Sequence, residues 1–312
     1  MIDNKNYYSP ENAVKYMSVS QYKIFADCEA KAMAEIAGEF RTETTNAMLI
    51  GSYVDAWFEG TLDTFREVHP EIFLKNGGLK ADFIQAETLI KRISSDDEFM
   101  KYMSGEKQKI FTGTIAGIQF KGKIDSYHAG KCIVDLKVMR DFESVWKNGR
   151  KSHFIEAWGY DIQGAVYQEL VFQTTGKKLP FVICAITKEK VPDIAILNVP
   201  QHRLDYCLEI VKKYAPHFDE IKKGLVTAER CGKCDFCKAT KKLDGAVDYC
   251  YSETPSETET HENVPVNVSE IGNVFIPPDI TEVVTEPTEC QIKQEKKHNK
   301  KKTKKIIIKL KV

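Results

Sequence analysis

The sequence predicts a mixed α/β fold in which helices flank one central sheet. Strand-like segments follow one another at residues 108–114, 118–127 and 132–139 with short turns between them, which is typical of an antiparallel meander. A continuous apolar run at 179–187 is typical of a strand buried on both faces. Segments with helical spacing of apolar residues precede and follow these strands, so helices are expected to cover the sheet.

The elements before the meander are predicted to be helical. Ser18 or Ser20 is a suitable N-cap for a helix that begins there, with apolar residues at helical spacing as far as Met33. A second helix is expected at 48–58 and one or two more at 80–103. Asp55 lies beside the apolar face of the second helix, where a carboxylate without a partner would be unfavourable if buried.

The elements after the meander alternate between helix and strand. A helix is expected at 161–173, where Gln163 and Tyr167 are four positions apart and therefore share a face. The buried strand at 179–187 is followed by a strand at 194–199, and a helix at 202–224 completes this part.

Composition bounds the classes of function. The chain has 312 residues, of which 42% are hydrophobic and 29% charged, enough for one large domain with appendages. The net charge is zero, which argues against a protein that coats nucleic acid passively but allows a local basic groove. Residues 1–6 carry no signal segment and no apolar run approaches the length of a membrane span, so we expect a cytoplasmic protein that does not contact membranes.

Three chemically reactive side chains lie on the segment 121–137. Asp135 and Lys137 share a strand face because strand side chains alternate, and a suitable turn register near 129–130 brings Asp125 to the same face. Clustered carboxylates suit Mg²⁺, and a neighbouring lysine can orient a water for attack on a phosphodiester. An ordinary hairpin with a charged surface is the alternative. The apolar residues around Asp135 favour the buried site, since buried charges need a partner or a metal.

This segment resembles the core of the PD-(D/E)XK nucleases. The similarity rests on residues 122–125, which read Gly-Lys-Ile-Asp, and residues 133–137, which read Ile-Val-Asp-Leu-Lys. The nearest branch is the phage exodeoxyribonuclease VIII (RecE-like) group, which is related to the RecB and AddB nuclease domains. Gln163 and Tyr167 match its Gln-x-x-x-Tyr motif. Residues 51–60 resemble the helix that carries its first metal ligand, commonly His and here Asp55.

The resemblance spans about residues 15–240 and implies a restriction-endonuclease-like fold. It implies a Mg²⁺ or Mn²⁺ site formed by the side chains of Asp55, Asp125 and Asp135 and the carbonyl of Leu136. Lys137 then places the attacking water, which makes Asp125, Asp135 and Lys137 the catalytic residues. Gln163 and Tyr167 position the metal site or the DNA strand.

The implied activity is an exonuclease that degrades one strand of duplex DNA ends, 5′→3′, during phage recombination. It would hand the exposed strand to a RecT-like annealing protein and could form a homo-oligomer. An endonuclease, a single-strand-trimming nuclease and a catalytically silent DNA-binding member of the fold remain open. An interaction protein that binds a structural metal, and in which the hairpin with Asp135 and Lys137 has no catalytic role, remains open as well.

Nine cysteines without a signal segment fit a reducing compartment and favour metal ligation over disulfides. Cys231, Cys234 and Cys237 are spaced so that three thiolates can face one metal or cluster. By resemblance to the AddB-like nucleases, Cys28 joins them around a [4Fe–4S] cluster. There are two alternatives: a zinc site that includes Cys250, or three free thiols that bind no metal. The remaining cysteines in apolar stretches, Cys132, Cys184 and Cys207, are expected to be inert.

Composition also divides the chain into three parts. Residues 1–250 are predicted to form the nuclease-like domain, with a cysteine-rich segment at 231–250. Residues 251–292 are rich in Glu, Thr, Pro and Ser and are predicted to be a disordered linker. Residues 293–312 form a lysine-rich tail, which we expect to be solvated or to bind phosphate non-specifically.

Overall fold

A computed structural model describes residues 2–147, 149–243 and 245–246. The part of the chain that precedes the meander is mainly helical. A two-residue strand, β1 (Met17–Ser18), lies between the first two helices, and a short 3₁₀ turn covers Pro70–Ile72. The helices that precede the meander are α1 (Pro10–Lys15), α2 (Val19–Asp27), α3 (Glu29–Ala37), α4 (Asn46–Glu59), α5 (Leu62–Val68), α6 (Ala81–Ser94) and α7 (Asp97–Tyr102).

The second part carries the sheet and the helices that cover it. Its elements are β2 (Glu106–Ile115), β3 (Ile118–His128), β4 (Cys132–Met139), β5 (Val145–Lys147), β6 (Arg150–Ser152), α8 (Phe154–Ala157), α9 (Tyr160–Thr175), β7 (Phe181–Thr187), β8 (Ile194–Asn198), α10 (Gln201–Lys222) and α11 (Asp235–Ala239). The six-stranded sheet has the order β1–β3–β4–β7–β8, with β2 paired to β3. The strands β5 and β6 form a separate hairpin.

The sheet is mixed, as the sequence predicts. The strands β2, β3 and β4 form the antiparallel meander, while β4 and β7 run parallel through seven residue pairs. A parallel pair needs a long crossover, and the chain between β4 and β7 supplies it with α8 and α9. The helix α9 packs against β2, β3 and β7, while α4 and α6 contact β4 and β7 respectively.

The strand β7 separates two hydrophobic cores. Phe181, Ile183 and Ala185 belong to the core that includes α2, α9 and α10. The intervening Val182 and Cys184 belong to the core that includes α4 and α6. Strand side chains alternate between faces, so a strand covered on both sides must be apolar at every position. This is the physical reason for the uninterrupted apolar run in the sequence.

Local signals fix the ends of the helices that carry the site. Ser18 caps α2, its hydroxyl accepting a hydrogen bond from the backbone amide of Gln21 at 3.2 Å. Thr45 caps α4 in the same way. The helix α4 ends at Gly60, whose φ of 72° lies in the left-handed region that glycine adopts without strain.

A glycine near the end of a strand indicates a turn, but Gly113 lies inside β2, paired with Phe120. A Cβ atom at Gly113 would lie 2.4 Å from Oε1 of Gln173 on α9. The close approach of α9 to the sheet favours a residue without a Cβ at this position, while the turn itself uses Ala116 and Gly117, both with positive φ.

The predicted linker at 251–292 and tail at 293–312 lie outside the described residues. Among the residues that the structure describes, no helix has the length and hydrophobicity needed to cross a membrane.

Candidate active site

The strands β3 and β4 separate where the predicted acidic residues lie. Their ladder pairs Ser126 with Val134 and two further pairs towards the turn. One more step in the same register would place Asp125 opposite Asp135, on the same face. The ladder stops there, and the Asp125 carboxylate occupies the gap, its Oδ2 accepting a hydrogen bond from the backbone amide of Leu136 at 2.9 Å.

Asp135 is buried, with a relative exposure of 1%. Its Oδ1 accepts a hydrogen bond of 2.7 Å from Nε2 of Gln163. Its Oδ2 forms an ion pair with the Lys137 ammonium but has no hydrogen-bond donor of suitable geometry among the described residues. A buried carboxylate is unfavourable without a neighbouring cation, and Lys137 supplies one here.

The helix α9 orients Asp135 through two side chains on one face. Nε2 of Gln163 also lies 3.2 Å from the hydroxyl oxygen of Tyr167, one turn further along. Burial, followed by the charge of Asp135, raises the pKa of Tyr167 well above its usual range, so the hydroxyl stays protonated. Gly122 on β3 makes room for this ring, since a Cβ there would lie 2.8 Å from Cδ1 of Tyr167.

Lys137 carries the positive charge beside the carboxylates. Burial alone would lower its pKa, yet the opposing charges of Asp135 and Asp125 raise it above the ordinary value. Its ammonium also lies 4.7 Å from the centroid of the Tyr160 ring. Lys137 is therefore a fixed cation held against the acidic cluster.

Asp55 reaches the same place from α4. Burial raises its pKa to about 7, with Lys137 lowering it and Asp135 raising it further. Burial also raises the pKa of Asp125 well above its usual value, and the charges of Asp135 and Asp55 add to the effect. The three carboxylates thus repel one another, and Lys137 compensates for one of their charges.

The carboxylate and carbonyl oxygens here are of the type that a divalent cation binds. Hard divalent ions such as Mg²⁺ prefer carboxylate and carbonyl oxygens and retain part of their water shell. The structure brings the predicted ligands Asp55, Asp125, Asp135 and Leu136 to one open cavity of about 810 Å³, which Lys137, Gln163 and Tyr167 also line. The sequence-predicted residues of this site therefore lie together.

Sequence reasoning missed several residues of the cavity. Lys121 and Lys123 line it on the same strand as Asp125. Because every second strand residue shares a face, the period from 121 to 125 could have identified both. Burial lowers the pKa of Lys121 to about 8. Lys23 of α2, whose pKa is lowered to about 8 by burial and by the charge of Lys137, carried no local signal.

Two tyrosines near the N-terminus lie beside Lys121 and Lys123, and these four residues form the basic side of the cavity. Tyr7 is buried, and its carbonyl accepts a hydrogen bond of 2.5 Å from Nζ of Lys121. Tyr8 is 77% exposed, and the Lys123 ammonium lies 4.9 Å from its ring centroid. The aromatic and cationic groups together suit a nucleic acid, since bases stack on aromatic rings and phosphates pair with ammonium groups.

The four predicted cysteines also converge, at a second place in the fold. The Sγ atoms of Cys28, Cys231, Cys234 and Cys237 lie within 4.8 Å of one another. Cys250, the ligand of the alternative zinc site, lies outside the described residues. Cys184 and Cys207 are buried in the two cores, as expected, and Cys132 is half-buried.

Comparison with known proteins agrees with this architecture. Residues 18–240 match the family described as "PDDEXK-like domain of unknown function (DUF3799)". A crystal structure of a protein from Eubacterium rectale, described as a "Putative exonuclease", is 46% identical, with a TM-score of 0.77. The match covers 80% of this chain and 96% of that chain. No curated protein matches the sequence.

The mixed sheet between two helical layers is the restriction-endonuclease-like α/β fold that the sequence resemblance implied, and the resemblance is confirmed. The chain belongs to the PDDEXK-like family, within the PD-(D/E)XK nuclease superfamily.

Proposed function

We propose that this protein is a divalent-metal-dependent exonuclease that hydrolyses phosphodiester bonds at the ends of duplex DNA. The observation that carries the proposal is the convergence of Asp55, Asp125 and Asp135 with the ammonium of Lys137 in one cavity. Family membership supports the class of reaction. The description of the Eubacterium rectale protein supports the choice of exonuclease.

The proposed cofactor is Mg²⁺ or Mn²⁺. The three aspartate side chains would hold it, and the carbonyl of Leu136 would add a fourth oxygen. When bound, the ion supplies positive charge to the phosphate as negative charge develops on it in the transition state.

The protein's own side chains have distinct roles in this proposal. Lys137 orients the attacking water and stabilises its developing negative charge, because its ammonium is fixed beside Asp135. Gln163 holds the Asp135 carboxylate through the 2.7 Å hydrogen bond. Tyr167 is a positioning residue that acts through Gln163. The three aspartates act as a unit in holding the metal, so the loss of any one of them should abolish most of the activity.

The basic side of the cavity is the proposed path of the DNA strand. Lys123 would neutralise a phosphate, and the exposed ring of Tyr8 would stack on a base. The 5′→3′ direction, a role in phage recombination and a RecT-like annealing partner are proposed from the resemblance to the RecE-like branch. An assembly of several copies is proposed on the same basis.

End-labelled linear and closed circular duplex DNA, incubated with Mg²⁺ or with EDTA, test the proposal. We expect Mg²⁺-dependent loss of linear DNA while circles stay intact, with a 5′ label released before a 3′ label. The Asp125→Asn variant should lose this activity. The control Asp205→Asn, which removes a carboxylate from a surface ion pair with Lys178, should retain it.

Other outcomes would contradict the proposal in specific ways. Cleavage of circles would make the protein an endonuclease, and release of the 3′ label first would reverse the polarity. DNA binding without cleavage under any metal would make it a silent member of the fold. Unchanged cleavage by Asp125→Asn would show that the reaction does not take place in this cavity.

A further inference from the structure

The cysteine cluster joins two regions that are far apart in sequence. Cys28 lies between α2 and α3, and Cys237 lies on α11, 209 positions later. Both are buried, with relative exposures of 4% and 2%. The thiols of Cys231 and Cys234 complete the group, and the four sulfurs lie within 4.8 Å of one another around one centre.

The distances between the sulfurs indicate what that centre can hold. Sγ of Cys237 lies 3.6 Å from Sγ of Cys28 and 3.9 Å from Sγ of Cys231. A regular tetrahedron of sulfurs at about 2.3 Å from a zinc ion has edges of about 3.8 Å. The cluster therefore has the dimensions of four thiolates around one ion.

A [4Fe–4S] cluster requires a wider arrangement. In such a cluster each cysteine binds a different iron at an outer corner of an iron–sulfide cube, so the whole cube lies between the thiolates. Sulfurs within 4.8 Å of one another leave no room for it. The four cysteines predicted from the AddB-like resemblance are the ones brought together, but their spacing does not fit the group that the resemblance implies.

We propose that Cys28, Cys231, Cys234 and Cys237 form a closed tetrahedral Zn²⁺ site that contains no iron–sulfur cluster. All four ligands come from the protein, as in structural zinc sites. The backbone also favours thiolates here. The amide of Cys234 donates to Sγ of Cys231, and the amide of Cys237 donates to Sγ of Cys234, each at 3.4 Å.

Hydrogen bonds beside the cysteines join the segment 229–237 to the start of α3. The backbone amide of Ala30 donates to the carbonyl of Glu229, and the amide of Glu229 donates to the Glu29 carboxylate at 2.8 Å. Arg230 donates to the carbonyl of Cys237 at 3.1 Å. The zinc would hold the segment 229–237 against the start of α3.

The zinc site would stabilise one wall of the cavity. Residues of α2 and α3, including Lys23 and Ala32, line that cavity. Since binding of the metal to the folded chain adds its free energy to folding, loss of the ion should loosen these helices. This role is structural and does not depend on which reaction the cavity performs.

Metal analysis and spectroscopy of the full chain test the proposal directly. The protein is purified without oxygen from cells supplied with both iron and zinc. We expect about one zinc per chain, little iron or sulfide, and no absorption band in the visible region. After replacement of the zinc by Co²⁺, we expect the intense visible bands of a tetrahedral thiolate site. Stoichiometric iron with sulfide, or a chain free of both metals, would overturn the proposal.

Variants test the ligand set. Cys231→Ser should reduce the zinc content severalfold and lower the Tm, whereas the matched control Cys132→Ser should keep one zinc, because Cys132 lies outside the cluster. Cys250→Ser should also keep it. Zinc that is retained in Cys231→Ser and lost in Cys250→Ser would overturn this ligand set. If Cys231→Ser does not fold, the zinc content and the Co²⁺ spectrum of the unaltered protein still decide.

Discussion

We propose a metal in both the cavity and the cysteine cluster, and the two sites differ in the type of donor atom and in exposure. The cavity offers oxygen donors beside a lysine and is open to a substrate. The cluster offers four sulfur donors within 4.8 Å of one another, two of them on buried cysteines and two on half-buried ones. Hard ions with exchangeable waters suit the first, and a permanently bound zinc suits the second. The difference separates a site for reaction from a site for structure.

The two sites also differ in how the chain assembles them. Asp125 and Asp135 are ten positions apart on adjacent strands, and a single turn register brings them together. Cys28 and Cys237 meet only when the two ends of the domain have packed. Damage to the first site should therefore affect the reaction, and damage to the second should affect stability.

The largest effect is expected from Asp135→Asn. The amide keeps the size of the side chain but removes the charge that holds a cation and pairs with Lys137. We expect the rate of nucleotide release to fall at least about 10³-fold, while the zinc content stays unchanged. Single-turnover assays beside metal analysis measure both. If the zinc content fell together with the rate, the cavity and the cysteine cluster would not be independent sites.

Lys137→Met should produce the next largest effect and should depend on metal. The catalytic rate should fall about 10²- to 10³-fold. Without Mg²⁺ the variant should lose about 3 kcal/mol of stability, because a buried carboxylate loses its partner. Denaturant unfolding with and without Mg²⁺ checks this, and Mg²⁺ should restore part of the loss. Equal stability in both conditions would show that no cation approaches Asp135.

Mg²⁺ should raise the Tm of the unaltered protein through the cavity alone. At a concentration 100-fold above its Kd, a ligand that binds the folded state stabilises it by about 2.7 kcal/mol. The shift should disappear in Asp125→Asn and persist in Cys231→Ser, with the latter starting from a lower Tm. Thermal scans over a range of Mg²⁺ concentrations measure it. The opposite pattern would assign Mg²⁺ to the cysteines.

The smallest effects are expected at the residues that orient Asp135. Gln163→Leu should lower the rate about 10-fold, because the 2.7 Å hydrogen bond to Oδ1 is lost while the volume is kept. Tyr167→Phe should lower it less, since the hydroxyl contacts Gln163 rather than Asp135. A larger effect of Tyr167→Phe than of Gln163→Leu, in rates compared at saturating DNA, would place Tyr167 in direct contact with the substrate.

Much of the sheet could be predicted because its signals are local. The strand β4 has the predicted bounds, and β3 differs from its prediction by one residue, since alternating and continuous apolar patterns depend on neighbouring residues. The turn between β3 and β4 fixed the register as far as the pair of Ser126 and Val134, one step before Asp125 and Asp135. The two residues of β1 carry too little pattern to predict, because their strand character comes from pairing with Phe120 and Lys121.

Contacts between elements that are far apart in the sequence could not be predicted from local sequence patterns. The approach of α4, which places Asp55 near the sheet, and the parallel pairing of β4 with β7 depend on packing across the whole domain. The sequence resemblance supplied Asp55 and Cys28, whereas the close spacing of Cys231, Cys234 and Cys237 was a local signal. Lys23 was missed for the same reason, since its role depends on α2 packing beside Lys137.

Anomalous diffraction from crystals grown with Mn²⁺, measured at both the manganese and zinc edges, tests the central claim most directly. We expect manganese within about 2.0–2.6 Å of carboxylate oxygens of Asp55, Asp125 and Asp135. A separate zinc peak should lie at the centre of the four cysteine sulfurs. An ordered cavity without manganese, with its three carboxylates bound to protein groups alone, would contradict the account.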